Sequence, residues 1–243
     1  MFSKLSAQEI KDHITLFQSN PKLSLFANGA KFEVEGRLPN HPCDFYSLEI
    51  NGVTYFYVFR HNKIPDECRP ILMIGSDQMA RNNDVVIGLK HLKLVEPNLR
   101  NITMLIATSD LSMQVRKFFI SNFDREDYNN PCYHFFIPNS ASLPSVETLP
   151  PGFSIGSTRL SDAETVNSTW KFGSPASILQ MKDKLQRLPT VCIFHEDKPI
   201  SFEMIGLHGQ LNHQYTFPEY RNKGFGGIVE KTIISKCFEY LLN

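Results

Sequence analysis

The stretch that decides the fold is Tyr215-Thr-Phe-Pro-Glu-Tyr-Arg-Asn-Lys-Gly-Phe-Gly-Gly227. It predicts an apolar strand that passes through a short turn into a helix with a glycine-rich beginning. The first N–H groups of a helix have no partner within the helix, and the helix dipole favours negative charge at that end. Gly224 and Gly226 leave room for a ligand to reach the backbone. The segment therefore predicts a binding site for a phosphate or pyrophosphate group.

Other glycine motifs do not fit this stretch. A G-x-G-x-x-G dinucleotide fingerprint would need glycine at position 229, where the sequence has Val229, and the chain contains no G-x-x-x-x-G-K phosphate loop. One structural alternative stays open, in which Gly224 and Gly226 only permit a tight turn from strand to helix.

Composition and charge limit the class of protein. The 243 residues are 42% hydrophobic and 12% aromatic, which is enough for one large core or two ordinary ones. Lys plus Arg and Asp plus Glu both total 25, so the formal net charge is +0. No overall field attracts nucleic acid or an anionic membrane, and we expect phosphate recognition to be local.

Cysteine, histidine and targeting patterns give further expectations. The 5 cysteines are far apart without a C-x-x-C pair, and the histidines lack ligand spacing, so neither a disulfide framework nor a metal site is expected. The sequence shows no secretory signal and no apolar run near the roughly 20 residues that span a bilayer. Because an Arg-rich presequence is not evident, we expect a cytoplasmic location, and a mitochondrial one stays open.

Residues 1–140 are expected to form an α+β N-terminal domain. Ser6 and Glu9 have the spacing of a capping box, which predicts a helix that ends before Pro21. Asn51-Gly52 is the pair preferred in a two-residue hairpin turn. Further strands are expected at 31–35, 70–75, 102–107 and 132–137, and helices at about 77–95 and 110–123.

Residues 141–151 are expected to be a linker, because prolines recur among serines and asparagines there. A second α+β domain then covers 152–243. Its predicted order is strand, helix, helix, three strands and helix. The predicted strands are 153–159, 190–195, 199–205 and 211–217, and the last helix is 223–242.

These residues resemble the acyl-CoA-binding motif of the GCN5-related N-acetyltransferase (GNAT) superfamily, in which a strand is followed by Arg-x-x-Gly-x-Gly and a helix. More narrowly, Val166-Asn-Ser-Thr-Trp-Lys-Phe-Gly173 and Thr216-Phe-Pro-Glu-Tyr-Arg221 are similar to the glycine N-acyltransferase family. This resemblance covers about residues 150–243 and reaches the N-terminal half only in its order of elements. It implies two tandem GNAT-like domains, each a mixed, mostly antiparallel sheet flanked by helices.

The resemblance also implies a cofactor and a reaction. The pyrophosphate of acyl-CoA or acetyl-CoA would lie against the N–H groups of residues 222–227, and pantetheine would run beside 215–217. The acyl group would pass to the amine of a small acceptor such as glycine. The implied cofactor-binding residues are Tyr215, Thr216, Phe217, Arg221, Asn222, Lys223, Gly224, Phe225, Gly226 and Gly227.

The sequence departs from the family at the general base. Where the family has a glutamate near the start of the strand, this chain has Gln210, which cannot accept a proton at neutral pH. His213 is a substitute candidate by its pKa, and Glu203 on the preceding strand is another. For both, a packed or surface role is the alternative. Trp170 and Phe172 either line an acceptor pocket or pack in the core.

The superfamily continues after the glycine-rich helix with another strand and helix, whereas the sequence given ends at Asn243. We therefore expect an incomplete C-terminal domain. The chain is then a truncated product or partial gene model, or another chain completes the open sheet edge, which allows self-association. Three functions stay open: an N-acyltransferase, a non-catalytic acyl-CoA-binding or interaction protein derived from that fold, and a folded scaffold.

Overall fold

Helices and strands alternate along both halves of the chain in the computed structural model, which describes residues 1–64, 69–81, 83–125, 130–135, 137 and 141–242. Within these residues the protein has seven α-helices and two β-sheets, so its fold is mixed α+β. The chain divides into two compact units. The first contains the described residues of Met1–Lys63 and Cys68–Phe136, and the second contains those of Ile64–Glu67 and Ile137–Asn243.

The first unit contains one five-stranded sheet and four helices. Its strands are β1 (Phe2–Lys4), β2 (Cys43–Ile50), β3 (Val53–Arg60), β4 (Ile71–Ser76) and β5 (Met104–Ala107). Its helices are α1 (Ala7–Ser19), α2 (Ser24–Val34), α3 (Asp84–Val95) and α4 (Ser109–Phe123). The strands lie in chain order across the sheet. Strands β1 to β4 are antiparallel, and β5 pairs in parallel with β4 after the α3 crossover.

Alternate residues of β3 pack on opposite faces of this sheet. Tyr57 belongs to a buried cluster with the apolar residues of α3 and α4. Phe56 and Val58 belong to a second buried cluster with those of α1 and α2. The two-residue period of a strand therefore divides the core of the first unit into two layers.

Helix α1 begins at the predicted capping box, which is confirmed. The Ser6 hydroxyl accepts a hydrogen bond from the Glu9 backbone N at 3.3 Å, and the Glu9 carboxylate accepts one from the Ser6 backbone N at 2.7 Å. These bonds satisfy two donors that the helix itself leaves unpaired.

We expect Ser6→Ala to lower the free energy of unfolding by about 1 kcal/mol, because the N-terminal cap is lost. Denaturant midpoints measure the change. Ser19→Ala at the other end of α1 is the control, because in the described chain the Ser19 hydroxyl donates its hydrogen bond to the Leu16 carbonyl oxygen. Its expected change is within about 0.5 kcal/mol. Equal midpoints for the two variants would contradict the capping role.

The predicted hairpin is confirmed, and two other predicted strands are wrong. Asn51 and Gly52 have φ values of 52° and 74°, and Ile50 faces Val53 across the turn. Residues 31–35 lie at the end of α2 instead of in a strand, because the buried residues there follow helical spacing. The described residues among 132–137 form no strand.

The second unit contains a four-stranded antiparallel sheet and three helices. Its strands are β6 (Phe153–Gly156), β7 (Thr190–His195), β8 (Lys198–Ile205) and β9 (Leu211–Thr216), and its helices are α5 (Ala163–Ser168), α6 (Ile178–Arg187) and α7 (Phe225–Leu242). The order of strands and helices predicted for this half is confirmed. The strands lie in chain order, so β9 forms one edge of the described sheet.

The order of elements in the second unit repeats that in the first. Each unit has a strand, two helices, three antiparallel strands and a helix, and the first unit continues with β5 and α4. By this order, α7 corresponds to α3 and β9 corresponds to β4. The turn from β4 to α3 is therefore the counterpart of the turn from β9 to α7.

Candidate functional site

The glycine-rich turn joins the edge strand β9 to α7. The side chain of Phe225, the first residue of α7, is 2% exposed and its ring centroid lies 4.7 Å from that of Phe153. Ile228 and Val229 are also buried. The first turn of α7 is thereby fixed on the sheet, while residues 221–224 are exposed to solvent.

The backbone N–H groups of this turn are free to bind a ligand. Within the described chain, those of residues 222–227 donate no hydrogen bond to a protein acceptor, and the first helical bond runs from Ile228 N to Gly224 O at 3.1 Å. Apart from the adjacent residues and the backbone of the helix itself, no described atom lies within 4 Å of the position that a β-carbon would take at Gly224 or Gly227. Open space therefore adjoins unpaired donors at the positive end of a helix, an arrangement that favours anions.

Two cationic side chains flank the turn. Arg221 Nε donates to the Thr216 carbonyl oxygen at 2.9 Å, and its guanidinium carbon lies 5.5 Å from the centroid of the Tyr215 ring. Lys223 Nζ lies 5.3 Å from the centroid of the Tyr220 ring. These contacts hold positive charge beside the unpaired N–H groups, although the net charge of the chain is zero.

A bulge in β9 contains His213, one of the two candidate bases, and lies opposite Glu203, the other. Between the pairs Phe202–Tyr215 and Met204–Asn212, β9 has one residue more than β8. His213 in the bulge has a φ of 54°, which is unusual for a residue other than glycine.

The side chain of His213 packs on the side of the sheet that carries α5. It is 8% exposed, its Nε2 lies 3.0 Å from the Thr169 hydroxyl, and its ring centroid lies 4.9 Å from that of Trp170. Because the Thr169 hydroxyl donates to the Val166 carbonyl at 2.7 Å, Nε2 is the donor to Thr169 and Nδ1 is the acceptor of the ring. Burial, with Lys184 adding to it, lowers the pKa of His213 to about 4. The ring is neutral at pH 7 and only weakly basic.

Glu203 faces α7 instead. Its Oε2 accepts a hydrogen bond from Gln214 Nε2 at 3.2 Å, and the same nitrogen lies 3.1 Å from the Gly226 carbonyl oxygen. Burial raises the pKa of Glu203 to about 7, and the nearby Glu230 charge adds to the effect. Glu203 is thus a carboxylate tied through Gln214 to the glycine-rich turn, with a pKa that suits a general base near neutral pH.

Gln210 closes the turn between β8 and β9. Its carbonyl oxygen accepts from Gly206 N at 2.7 Å, and its Oε1 accepts from His208 N at 3.2 Å. These bonds assign it a structural role in the hairpin.

Trp170 and Phe172 differ in their surroundings. Trp170 is half-buried against His213, whereas the side chain of Phe172 is 73% exposed. Of the two alternatives, core packing is therefore wrong for Phe172.

The start of the corresponding helix in the first unit carries a carboxylate. Asp84 lies in the first turn of α3 and is 7% exposed, and its Oδ2 accepts a hydrogen bond from Asn51 Nδ2 at 3.2 Å. A carboxylate of the protein thus places negative charge at this helix N-terminus, which opposes a bound phosphate. The two units therefore differ in the group at the helix N-terminus: the first has a buried carboxylate there, and the second has unpaired N–H groups that would bind an anion.

Sequence reasoning missed a cluster of Asp44, His61 and Glu96 in the first unit. One ligand atom from each lies within 4.8 Å of the other two. The three residues are separated in the sequence and come from β2, the residue after β3 and the residue after α3. Their spacing therefore matches no short motif.

Comparison with known proteins supports the fold alone. No protein-family model matches the chain. The structure is similar to the X-ray structure of a Drosophila protein determined by a structural genomics consortium, with a TM-score of 0.66 and 15% sequence identity over 98% of this chain and 86% of that one. No helix in the described part of the chain combines the length and apolar character needed to cross a membrane.

Proposed function

We propose that the protein transfers an acyl group from a CoA thioester to the amine of a small acceptor such as glycine. The observation that carries this proposal is the set of unpaired N–H groups at residues 222–227, which adjoin open space at the start of α7. A diphosphate is the anion that suits several convergent backbone donors and two flanking cations. The resemblance of the turn to the acyl-CoA motif selects CoA among diphosphate ligands.

The proposal includes two tandem GNAT-like domains. The repeated order of a strand, two helices, three antiparallel strands and a helix supports it. Only the second unit would bind CoA, because Asp84 places a carboxylate at the corresponding helix start in the first.

The edge of β9 supplies the next contact. Phe217 N donates to the Ile200 carbonyl oxygen at 3.0 Å, so by the alternation of an antiparallel ladder the N–H of Thr216 points away from β8. Pantetheine would pair with this free edge as an added strand does. The same edge offers backbone groups for self-association.

In the proposed reaction, the amine nitrogen attacks the thioester carbonyl carbon, the C–S bond breaks and CoA leaves as a thiolate that takes up a proton. A backbone N–H of the β9 edge would stabilise the oxyanion. Glu203 is the better-matched base to take the proton from the amine, because the pKa of His213 is about 4. Positioning the two substrates together would supply most of the rate.

A non-catalytic acyl-CoA-binding protein is the second candidate. One observation favours it: the three candidate catalytic residues are engaged in other contacts. His213 is packed against Trp170, Glu203 faces α7 and Gln210 closes a hairpin. Such a protein would use the turn at residues 222–227 without the transfer step.

Release of free thiol from acetyl-CoA or benzoyl-CoA distinguishes these functions. We expect release above the blank only when glycine or another small amine is present, together with formation of the N-acyl product by mass spectrometry. Calorimetry with CoA measures binding separately. Binding without release at any pH would support the binding protein and overturn the enzyme, and absence of both would overturn the proposed function.

A further inference from the structure

Three polar side chains meet where α3 ends against the sheet of the first unit. Asp44 lies on β2, two residues before Tyr46, and so shares the sheet face that packs on α3. His61 directly follows β3, and Glu96 is the residue that caps the C-terminus of α3. Three separate elements therefore bring one imidazole and two carboxylates together.

The distances between their atoms suit a metal ion. His61 Nε2 lies 3.1 Å from Asp44 Oδ2 and 3.9 Å from Glu96 Oε1, and one ligand atom from each of the three residues lies within 4.8 Å of the other two. Ligand atoms bound at about 2.0–2.2 Å to tetrahedral Zn²⁺ lie roughly 3.3 Å apart. A small contraction of the cluster would therefore bring all three atoms to bonding distance from one ion.

The position of Glu96 calls for a cation. Its side chain is 6% exposed, and it lies at the end of α3, where the helix dipole is negative. Its Oε1 accepts a hydrogen bond from the Tyr46 hydroxyl at 2.6 Å, and Oε2 accepts none from the described residues. Negative charge is disfavoured at a helix C-terminus, so a cation in addition to the hydrogen bond from Tyr46 would stabilise this buried carboxylate.

His61 Nε2 and Asp44 Oδ2 share a hydrogen bond of 3.1 Å, which a bound ion would replace. Lys4 Nζ lies 2.7 Å from Asp44 Oδ1, which is the other oxygen of that carboxylate. The Tyr46 hydroxyl fixes the orientation of Glu96, as outer hydrogen bonds do in metal sites. The side chains of Asp44 and His61 are 25% and 29% exposed, so that solvent can reach the cluster and complete the coordination.

We propose that Asp44, His61 and Glu96 bind a divalent transition metal ion such as Zn²⁺, with water as the remaining ligand. One imidazole nitrogen and two carboxylate oxygens without a thiolate form a donor set for Zn²⁺ and related ions. The ion would join β2, the end of β3 and the C-terminus of α3. This site is independent of the acyl-CoA function proposed for the second unit.

Metal binding by the full chain tests the proposal. All proteins carry Cys132→Ser, because the exposed Cys132 thiol would itself bind Zn²⁺. After treatment with a chelator, equilibrium dialysis and calorimetry with ZnCl₂ are expected to show one Zn²⁺ per chain with a dissociation constant below about 10 μM. Mg²⁺ and Ca²⁺ in excess should not displace it, since they prefer all-oxygen sites.

Single substitutions locate the ion. We expect Asp44→Asn, His61→Gln and Glu96→Gln each to weaken Zn²⁺ binding by about 100-fold or more. Asp44→Asn and Glu96→Gln nearly preserve shape, so circular dichroism without metal verifies that they fold. His91→Gln is the control, because His91 is an exposed imidazole of the same helix. No saturable uptake, or uptake that all three variants retain, would overturn the proposal.

Discussion

The Gly224→Trp variant is expected to lose CoA binding, with a dissociation constant raised by at least about 100-fold, or about 2.7 kcal/mol. An indole at position 224 would occupy the open space beside the N–H groups of residues 222–227. The proposed pyrophosphate needs direct approach to those donors, and no other group of the turn can replace several backbone N–H groups at once. Calorimetry with CoA measures binding, and amine-dependent thiol release should fall with it.

Gly152→Trp is the matched control for this substitution. Gly152 has a φ of 87°, close to the 80° of Gly224, and at both positions no described atom beyond the adjacent residues lies within 4 Å of where a β-carbon would be. Both variants thus place an exposed indole on a left-handed backbone position of the second unit, at a similar cost of strain. Unchanged CoA affinity in Gly224→Trp would remove the turn as the binding site. Loss of affinity in both variants would show a general effect on the fold.

The local features of this protein could be predicted from its sequence because their causes are local. A Ser–Glu spacing, an Asn-Gly pair and two glycines after a strand each specify a cap, a hairpin and a turn through a few adjacent bonds. The structure confirms the capping box at Ser6 and the hairpin at Asn51. The strand and helix around Gly224 are confirmed in the same way.

The features that the sequence did not reveal depend on distant contacts. Residues 31–35 alternate over too short a stretch to exclude a helix, and packing on the sheet decides the outcome. The bulge at His213 contains no glycine that would indicate it in the sequence. The cluster of Asp44, His61 and Glu96 requires the pairing of β2 with β3 and the packing of α3. Sequence spacing contains none of this information.

Burial of Glu203 shows how a distant contact changes chemistry. From the sequence alone, a glutamate on a strand is expected to be a solvated carboxylate. In the structure Glu203 lies under α7 with 5% of its surface exposed, and burial raises its pKa to about 7. Gln214 is the donor to Glu203 Oε2 and also bonds the first turn of α7. Glu203 is therefore held at a cost in stability next to the proposed CoA site, which is typical of functional groups.

The pH dependence of stability follows from this raised pKa. In the unfolded chain Glu203 would have the ordinary glutamate pKa of 4.5, so between about pH 4.5 and pH 7 the folded state binds more protons than the unfolded one. The Glu203 contribution to stability is then greatest at the acid end and is lost as pH rises through about 7. Above that pH, the buried charge of Glu203 lowers the free energy of unfolding by about 1–3 kcal/mol.

We expect Glu203→Gln to gain about 1–3 kcal/mol of unfolding free energy at about pH 8.5 and to match the wild type near pH 4.5. The amide keeps the shape and can still accept from Gln214, while the buried charge is removed. If Glu203 is the base, amine-dependent thiol release should fall by about 100-fold or more while CoA affinity holds. Denaturant midpoints across this pH range, with the exposed Glu196→Gln as control, measure the first effect, and turnover measures the second. A gain in stability with normal turnover would exclude Glu203 as the base. If Glu203→Gln and the wild type had the same pH dependence of stability, burial would not disfavour the charge of Glu203.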